Sequence, residues 1–229
     1  MPLENYLLPA LKIENTLIDF LGEKKLQVAC ISEPSKFPHV TLFPNGRSNE
    51  KSDHCDWKLV PSTQRPPFNT SPEMKTEEIA SKVIAAMQGD EHQLIIANFP
   101  SPDMVGHETN LEAAIKAVES ADSGIAKICE AAKQTGHIVV YGGDHGNAEK
   151  MYELENGKPL IKDGKPQWYT AHTTNLVKWV IYDPSGVSEL SISPEIKEAS
   201  LGNLSATIAN LLGFKSDELP GNWLRSLLS

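Results

Sequence analysis

The amino-acid sequence predicts an α/β protein with a mostly parallel sheet, on three observations. Short apolar, β-branched runs alternate along the chain with stretches of helical spacing. Two of those runs, residues 93–99 (QLIIANF) and 137–141 (HIVVY), flank a helical pattern at 110–135, which makes a βαβ unit with a right-handed crossover and parallel neighbouring strands. Both runs are followed by Asp, His and Gly, at the strand ends where open α/β sheets hold their ligands.

The elements follow in order. Residues 13–22 carry Leu17, Ile18, Phe20 and Leu21 at helical spacing and stop at Gly22. Residues 25–31 (KLQVACI) form a strand, and 39–43 read as a second extended run closed by the turn signal Pro44-Asn45-Gly46. Residues 47–56 are polar enough to be an exposed loop, and the four prolines within 60–72 describe an irregular connection. A helix over 76–87 starts with Thr76 as N-cap, and Glu77 and Glu78 suit the positive end of its dipole. In the long helix, Leu111, Ala114, Ile115, Val118, Ile125, Ile128 and Cys129 make the apolar side, and Gly136 terminates it. Residues 154–168, rich in Gly, Lys and Pro, form a hairpin or loop; 176–182 is a strand, 183–199 a loop and 204–212 a helix ended by Gly213. Trp223, Leu224, Leu227 and Leu228 suit a packed terminal helix.

Composition bounds the function. The 229 residues are 40% hydrophobic and 22% charged, which fits one domain over 1–229. The net charge is −9 and no Lys/Arg block stands out, so nucleic acid is excluded as the main partner. No apolar run approaches the roughly 18 residues that cross a bilayer, and residues 1–10 contain Glu4 without a basic leader. Cys30, Cys55 and Cys129 are widely spaced and odd in number, which points to free thiols and a cytoplasmic setting.

The chemistry is carried by three segments. After the run at 93–99 comes Ser101-Pro-Asp-Met-Val-Gly-His107, where Asp103 and His107 are four apart and share one face of a helical turn. After the run at 137–141 comes Gly142-Gly-Asp-His-Gly-Asn147, so Asp144 and His145 leave the same edge of the sheet. His172, in Thr170-Ala-His-Thr-Thr-Asn175, supplies a third group. Any one Asp–His pair could be a solvated turn; two pairs at equivalent strand ends point to metal. Asp103, His107, Asp144, His145 and His172 suit Mn²⁺, Zn²⁺ or Fe²⁺. Five ligands are too many for one ion with an open position, but they can serve a pair of ions that stabilises attacking and leaving oxygens in phosphoryl transfer. Lys36, in Lys36-Phe-Pro-His-Val-Thr41, can hold a phosphate as a point charge, with His39 beside it. His54 and His92 sit in polar surroundings and read as solvated; His137 reads as structural.

KFPHVT, PDMVGH, GGDHGNAE, AHTTN and GNLSATIANLLG, in this order from residue 13 onward, resemble the 2,3-bisphosphoglycerate-independent phosphoglycerate mutases of the alkaline phosphatase superfamily. The resemblance implies an alkaline-phosphatase-like three-layer domain and an isomerase that interconverts 3-phosphoglycerate and 2-phosphoglycerate in glycolysis. It implies two divalent metals, Mn²⁺ first, with Zn²⁺ or Mg²⁺ as alternatives. One site would be complete here, from Asp103, His107 and His172. Asp144 and His145 would give part of the second, and Lys36 a substrate-phosphate contact. In that family a serine takes and returns the phosphoryl group. Only the family's C-terminal part is resembled: its first strand with a metal-binding Asp, its nucleophilic serine and its inserted second domain have no counterpart. The implied partners are therefore phosphoglycerate and the N-terminal part of the enzyme, the expected state is monomeric, and the segment alone is expected to be inactive. Ser35 stands where the family has an acidic residue before the lysine, with Glu33 nearby, and residues 154–168 are a longer insertion than the family pattern has.

Overall fold

The computed structural model describes residues 13–62, 67–186, 190–221 and 223–228; the stretch 1–10 read above for a leader lies outside them. The order is α1 (Leu17–Glu23), β1 (Val28–Ser32), α2 (Phe37–Val40), β2 (Cys55–Leu59), α3 (Thr76–Gly89), β3 (Leu94–Ala97), α4 (Ser101–Gly106), α5 (Leu111–Thr135) and β4 (Val139–Gly142). Two small hairpins follow, β5 (Leu154–Glu155) with β6 (Lys158–Pro159) and β7 (Ile161–Lys162) with β8 (Lys165–Pro166), then β9 (Trp179–Tyr182) and α6 (Leu204–Leu211).

β1 is buried at all five positions because it is the middle strand of a parallel sheet ordered β2–β1–β3. Its register sets Val28 against Cys55 on one side and Leu94 on the other. Its side chains alternate between two cores. Val28 and Cys30 join Leu17, Ile18, Phe20 and Leu21 of α1 and Ala209 of α6. Ile31 faces Ile79 and Val83 of α3 and Ile128 of α5. Helices thus cover both faces, the three-layer arrangement expected. Burial pushes the Cys30 thiol up to about 12 and Cys55 to about 11, so both stay protonated and inert, and no disulfide joins the three cysteines.

Several expectations are corrected. The run at 39–43 is not extended: α2 begins at Phe37 and carries Pro38, whose fixed φ suits a first helical turn, and turns follow. β2 lies in a stretch read partly as loop, because CDWKL pairs with β1 while burying only Cys55 fully. The N-cap of α3 is Lys75, not Thr76; Thr76 is buried and its hydroxyl donates to the Glu73 carbonyl at 2.7 Å. On α5, Leu111, Ile115 and Val118 are exposed. Ala114 and Ile128 of the expected side are buried, and the rest of the buried face is Ala113, Ala117, Ala121, Gly124, Ala131 and Ala132, whose small size lets α5 lie close to its neighbours. Residues 223–228 form no helix; Trp223 packs edge-on against Phe20 and its Nε1 donates to the Asn15 carbonyl at 2.7 Å.

The largest departure concerns the βαβ unit. Among the described residues β3 and β4 are not paired: β3 bonds to β1, and β4 bonds antiparallel to β9. Between β3 and β4 runs a cleft of about 420 Å³, lined by Ile95 and Phe99 on one side and Val139 and Tyr141 on the other. Ile125 and Ile128 of α5 also line it, and at one end it reaches Lys36, Asp103, Asp144 and His145.

Candidate metal centre

The polar end of the cleft is built by three chain turns. β3 runs into Pro100, and α4 starts at once with Pro102 in its first turn, which sets Asp103 just past the strand end. His107 follows one helical turn on as the C-cap of α4. β4 ends at Gly142, where a side chain would collide with Trp179 and the Lys178 carbonyl; Asp144 and His145 follow. His172 arrives on the segment leading to β9, held by an antiparallel bridge between Gly146 and Thr173.

Three of the expected ligands, His107, His145 and His172, gather around one carboxylate oxygen of a fourth, Asp103, and Asp144 joins through His145. Asp103 Oδ1 lies 3.1 Å from His172 Nε2, 3.2 Å from His107 Nε2 and 3.9 Å from His145 Nε2. His145 Nε2 is 3.4 Å from Asp144 Oδ2, and the His145 and His172 rings stack with centroids 3.6 Å apart. Asp103, His145 and His172 each bring a ligand atom to within 4.8 Å of the others. Grouping by distance therefore draws His145 in with Asp103 and His172, whereas the motif pattern assigns it beside Asp144; in the structure it touches both.

The donor chemistry fits a cation. His107 Nδ1 donates to the Thr170 carbonyl at 2.7 Å, which fixes the tautomer of the neutral ring. Its Nε2 then carries the lone pair, and that lone pair faces His172 Nε2 at 3.0 Å and a carboxylate oxygen. A lone pair aimed at a carboxylate oxygen and at a second imidazole nitrogen is an arrangement of ligand atoms that a divalent cation would satisfy. A ring nitrogen tied to a backbone carbonyl is the usual outer support of a metal-bound imidazole.

Lys36 supplies positive charge from the other side. It is buried at the N-terminal end of α2, with Nζ 2.6 Å from Asp103 Oδ2 and 3.9 Å from Asp144 Oδ2. Burial alone would raise the Asp103 pKa; hydrogen bonds from Lys36 and Asn147 outweigh it and hold the group at about 2. His39, the neighbour considered with Lys36, has its pKa lowered by burial first and by the Lys36 charge second. Glu33 does not face this centre: it is buried and accepts from Ser62 Oγ at 2.7 Å and from the Lys75 N–H at 3.0 Å.

Two further residues escaped the sequence reading. Asn147 donates from Nδ2 to both the Asp103 carbonyl, at 3.1 Å, and Asp103 Oδ1, at 2.5 Å. Glu149 accepts from the Asn147 N–H at 2.6 Å, from Asn175 Nδ2 at 2.9 Å and from the Thr173 hydroxyl. Burial would raise the Glu149 pKa, but the Thr173 and Asn175 bonds prevail and lower it. The signal for both was the string GNAE directly after Asp144 and His145. The bland readings of other histidines divide: His137 bonds Thr135 Oγ1 as a structural residue, while His92 is buried rather than solvated, and His54 contacts the Ile18 carbonyl.

The model of the metalloenzyme superfamily matches residues 5–216. The chain belongs to the metalloenzyme superfamily. A protein of Methanosarcina barkeri called 2,3-bisphosphoglycerate-independent phosphoglycerate mutase 2 is 36% identical over 217 residues, covering 94% of this chain but 38% of that protein. A protein of Ehrlichia ruminantium called 2,3-bisphosphoglycerate-independent phosphoglycerate mutase is 33% identical, covering 93% of this chain and 39% of its own length. A crystal structure of Leishmania mexicana phosphoglycerate mutase at low cobalt concentration superimposes with a TM-score of 0.85 at 33% identity, over 91% of this chain and 38% of that one. This superfamily member thus has the α/β fold of a phosphoglycerate mutase segment and spans about two fifths of the length of those relatives. No helix among its described residues is long and apolar enough to cross a membrane.

Proposed function

We propose that these 229 residues are one domain, the metal-binding part of a phosphoglycerate mutase that, when complete, holds two divalent cations and acts in glycolysis on a small phosphoglycerate. The observation that carries the metal reading is the facing of His107 Nε2, its tautomer fixed by Thr170, onto Asp103 Oδ1 and His172 Nε2. Asp103, His107 and His172 hold one ion; Asp144 and His145 give part of a second site. The mixed imidazole–carboxylate set suits Mn²⁺ or Zn²⁺ better than Mg²⁺. Bound there, the ions supply Lewis acidity to a transferring phosphoryl group.

The chain's own groups set the electrostatics. Asp103 stays ionised across the neutral range because Lys36 and Asn147 stabilise its carboxylate. Lys36 neutralises one carboxylate oxygen and, from the same buried position, contacts a substrate phosphate as a point charge. The serine that takes and returns the phosphoryl group comes from the part of the relatives' length that this segment does not span. Ser101, next to the centre in sequence, is buried with its hydroxyl against Thr76 Oγ1 at 3.1 Å. Ser32, at the end of β1, donates to the Asn98 carbonyl at 3.0 Å. The segment is expected to be monomeric, cytoplasmic and inactive alone.

Calorimetric titration with Mn²⁺ tests the metal reading. The parent chain should bind, and His172→Ala should lower affinity at least tenfold. Equal metal content in the two would remove His172 from the site. The assignment of substrate is tested by adding the unmatched part of the Methanosarcina barkeri relative: interconversion of the two phosphoglycerates should appear only in the mixture. Hydrolysis of other phosphate esters instead would point to a different phosphotransferase, and turnover by the segment alone would defeat the inactivity reading.

A further inference from the structure

The metal centre is assembled from chain segments that share no hydrogen-bonded strand pairing at their ligand residues. Asp144 and His145 sit on the turn after β4, and His172 sits on the approach to β9. The β4–β9 ladder and the Gly146–Thr173 bridge bring the two segments side by side. A side chain adds to that backbone pairing and reaches the third ligand-bearing segment.

We infer that Glu149 is a positioning residue that locks the His172 segment to the Asp144–His145 loop, so that the ligands of both ions move as one frame. One carboxylate oxygen, Oε2, accepts from the Asn147 N–H at 2.6 Å and thereby curls the loop that carries His145. The other, Oε1, accepts from the Thr173 hydroxyl and from Asn175 Nδ2 at 2.9 Å, on both sides of the residue following His172 and Thr173. The Thr173 N–H donates to the Gly146 carbonyl at 2.9 Å, closing the same junction through the backbone. Asn147, fixed by Glu149 at its N–H, spends its side-chain amide on Asp103. One carboxylate is therefore linked to all three ligand-bearing segments.

The glycines around it make room for this arrangement. A Cβ at Gly146 would collide with the Thr173 hydroxyl and the Glu149 carboxylate, and a Cβ at Gly106 would come within 2.7 Å of Asn147 Oδ1. A solvated turn has no need of a bare backbone at those two points. Glu149 itself carries no contact with the lone-pair cluster on Asp103, so its part is positional. Outer partners of this kind typically change metal affinity by about 10- to 100-fold.

The inference rests on the metal reading, and the test separates the two. Mn²⁺ titrations are run on the parent chain, Glu149→Ala and Thr173→Val, with melting of each metal-free protein and the visible absorption of each Co²⁺ form. Glu149→Ala should weaken Mn²⁺ binding about tenfold or more and alter the Co²⁺ spectrum, while the metal-free melting temperature stays within a few degrees of the parent. Thr173→Val keeps the carboxylate but removes one donor, and should weaken binding in the same direction by a smaller factor. The double variant should lose less than the product of the two factors, because both act through one contact. Unchanged affinity in Glu149→Ala overturns the inference, as does a loss that tracks a collapsed metal-free melt while Thr173→Val binds like the parent. A parent chain that binds no Mn²⁺ overturns the metal reading instead.

Discussion

The most consequential side chain in this protein is Asp103, because it mediates between a buried lysine and three imidazoles. Its pKa is depressed from an ordinary 3.8 to about 2, with burial opposing and Lys36 and Asn147 prevailing. A carboxyl depressed in the folded state stabilises folding above its unfolded pKa and loses that contribution as pH falls through the folded value. In EDTA, the metal-free chain should therefore lose about 2 kcal/mol of stability from this group between roughly pH 4 and pH 2. Denaturant melts across that window should show the loss in the parent and a flatter profile in Asp103→Asn; parallel profiles would refute it. At this scale the sequence was informative where spacing alone fixes geometry. Asp103 and His107 are one helical turn apart, and α4 does bring both to one point. Lys36 was readable as a cation near a turn, but its burial against Asp103 depends on α2, which the pattern at 39–43 concealed. Asn147 and Glu149 look like ordinary turn residues until the His172 segment lies beside them.

Among the elements, α5 shows how an apolar count can mislead about which face is buried. Large residues marked one side of the helix, yet apart from Ile128 the packed side is made of Ala and Gly, because small residues allow two backbones to approach where large ones would hold them apart. Gly124 is a close approach: an added Cβ would stand 3.0 Å from Phe99 Cζ and 3.0 Å from Thr76 Cγ2. Helix propensity favours replacing a mid-helix glycine by about 1 kcal/mol. The collision should prevail, and Gly124→Leu should destabilise the chain by about 1–3 kcal/mol in urea melts. Ile115→Glu, on the exposed stripe of the same helix, should leave the stability of this segment within about 0.5 kcal/mol. The reverse ranking would mean that the buried face is misassigned. The strands were legible as apolar runs, and the positions of β1, β3, β4 and β9 agree with theirs to within a few residues. β2 was not, because its one fully buried side chain, Cys55, leaves too weak an alternation to distinguish from a polar loop.

For the molecule as a whole, the expected pairing of β3 with β4 failed for a reason that bears on function. A crossover helix tells the reader that two strands belong to one sheet, not that nothing lies between them. Here α5 spans a cleft whose walls are the facing sides of β3 and β4, and whose lining is largely apolar: Ile95, Phe99, Ile125, Val139. Neither strand has a partner on that side among the described residues, and exposed edges of this kind favour association with any extended chain. The chain also spans only about two fifths of the length of the relatives it matches. Both strands run toward the metal centre, so an extended segment lying parallel between them would deliver its carboxyl end beside Asp103, Asp144 and His145. Adding the unmatched part of the Methanosarcina barkeri relative should then slow amide exchange in residues 94–97 and 139–142 by at least tenfold, with β1 unchanged because it is paired on both sides already. Ile125→Lys, which puts a charge on the cleft lining, should abolish that protection while leaving Mn²⁺ affinity as in the parent. Protection that survived the lysine would mean the added chain binds elsewhere, and protection appearing with protein concentration alone would assign the cleft to a second copy of this chain.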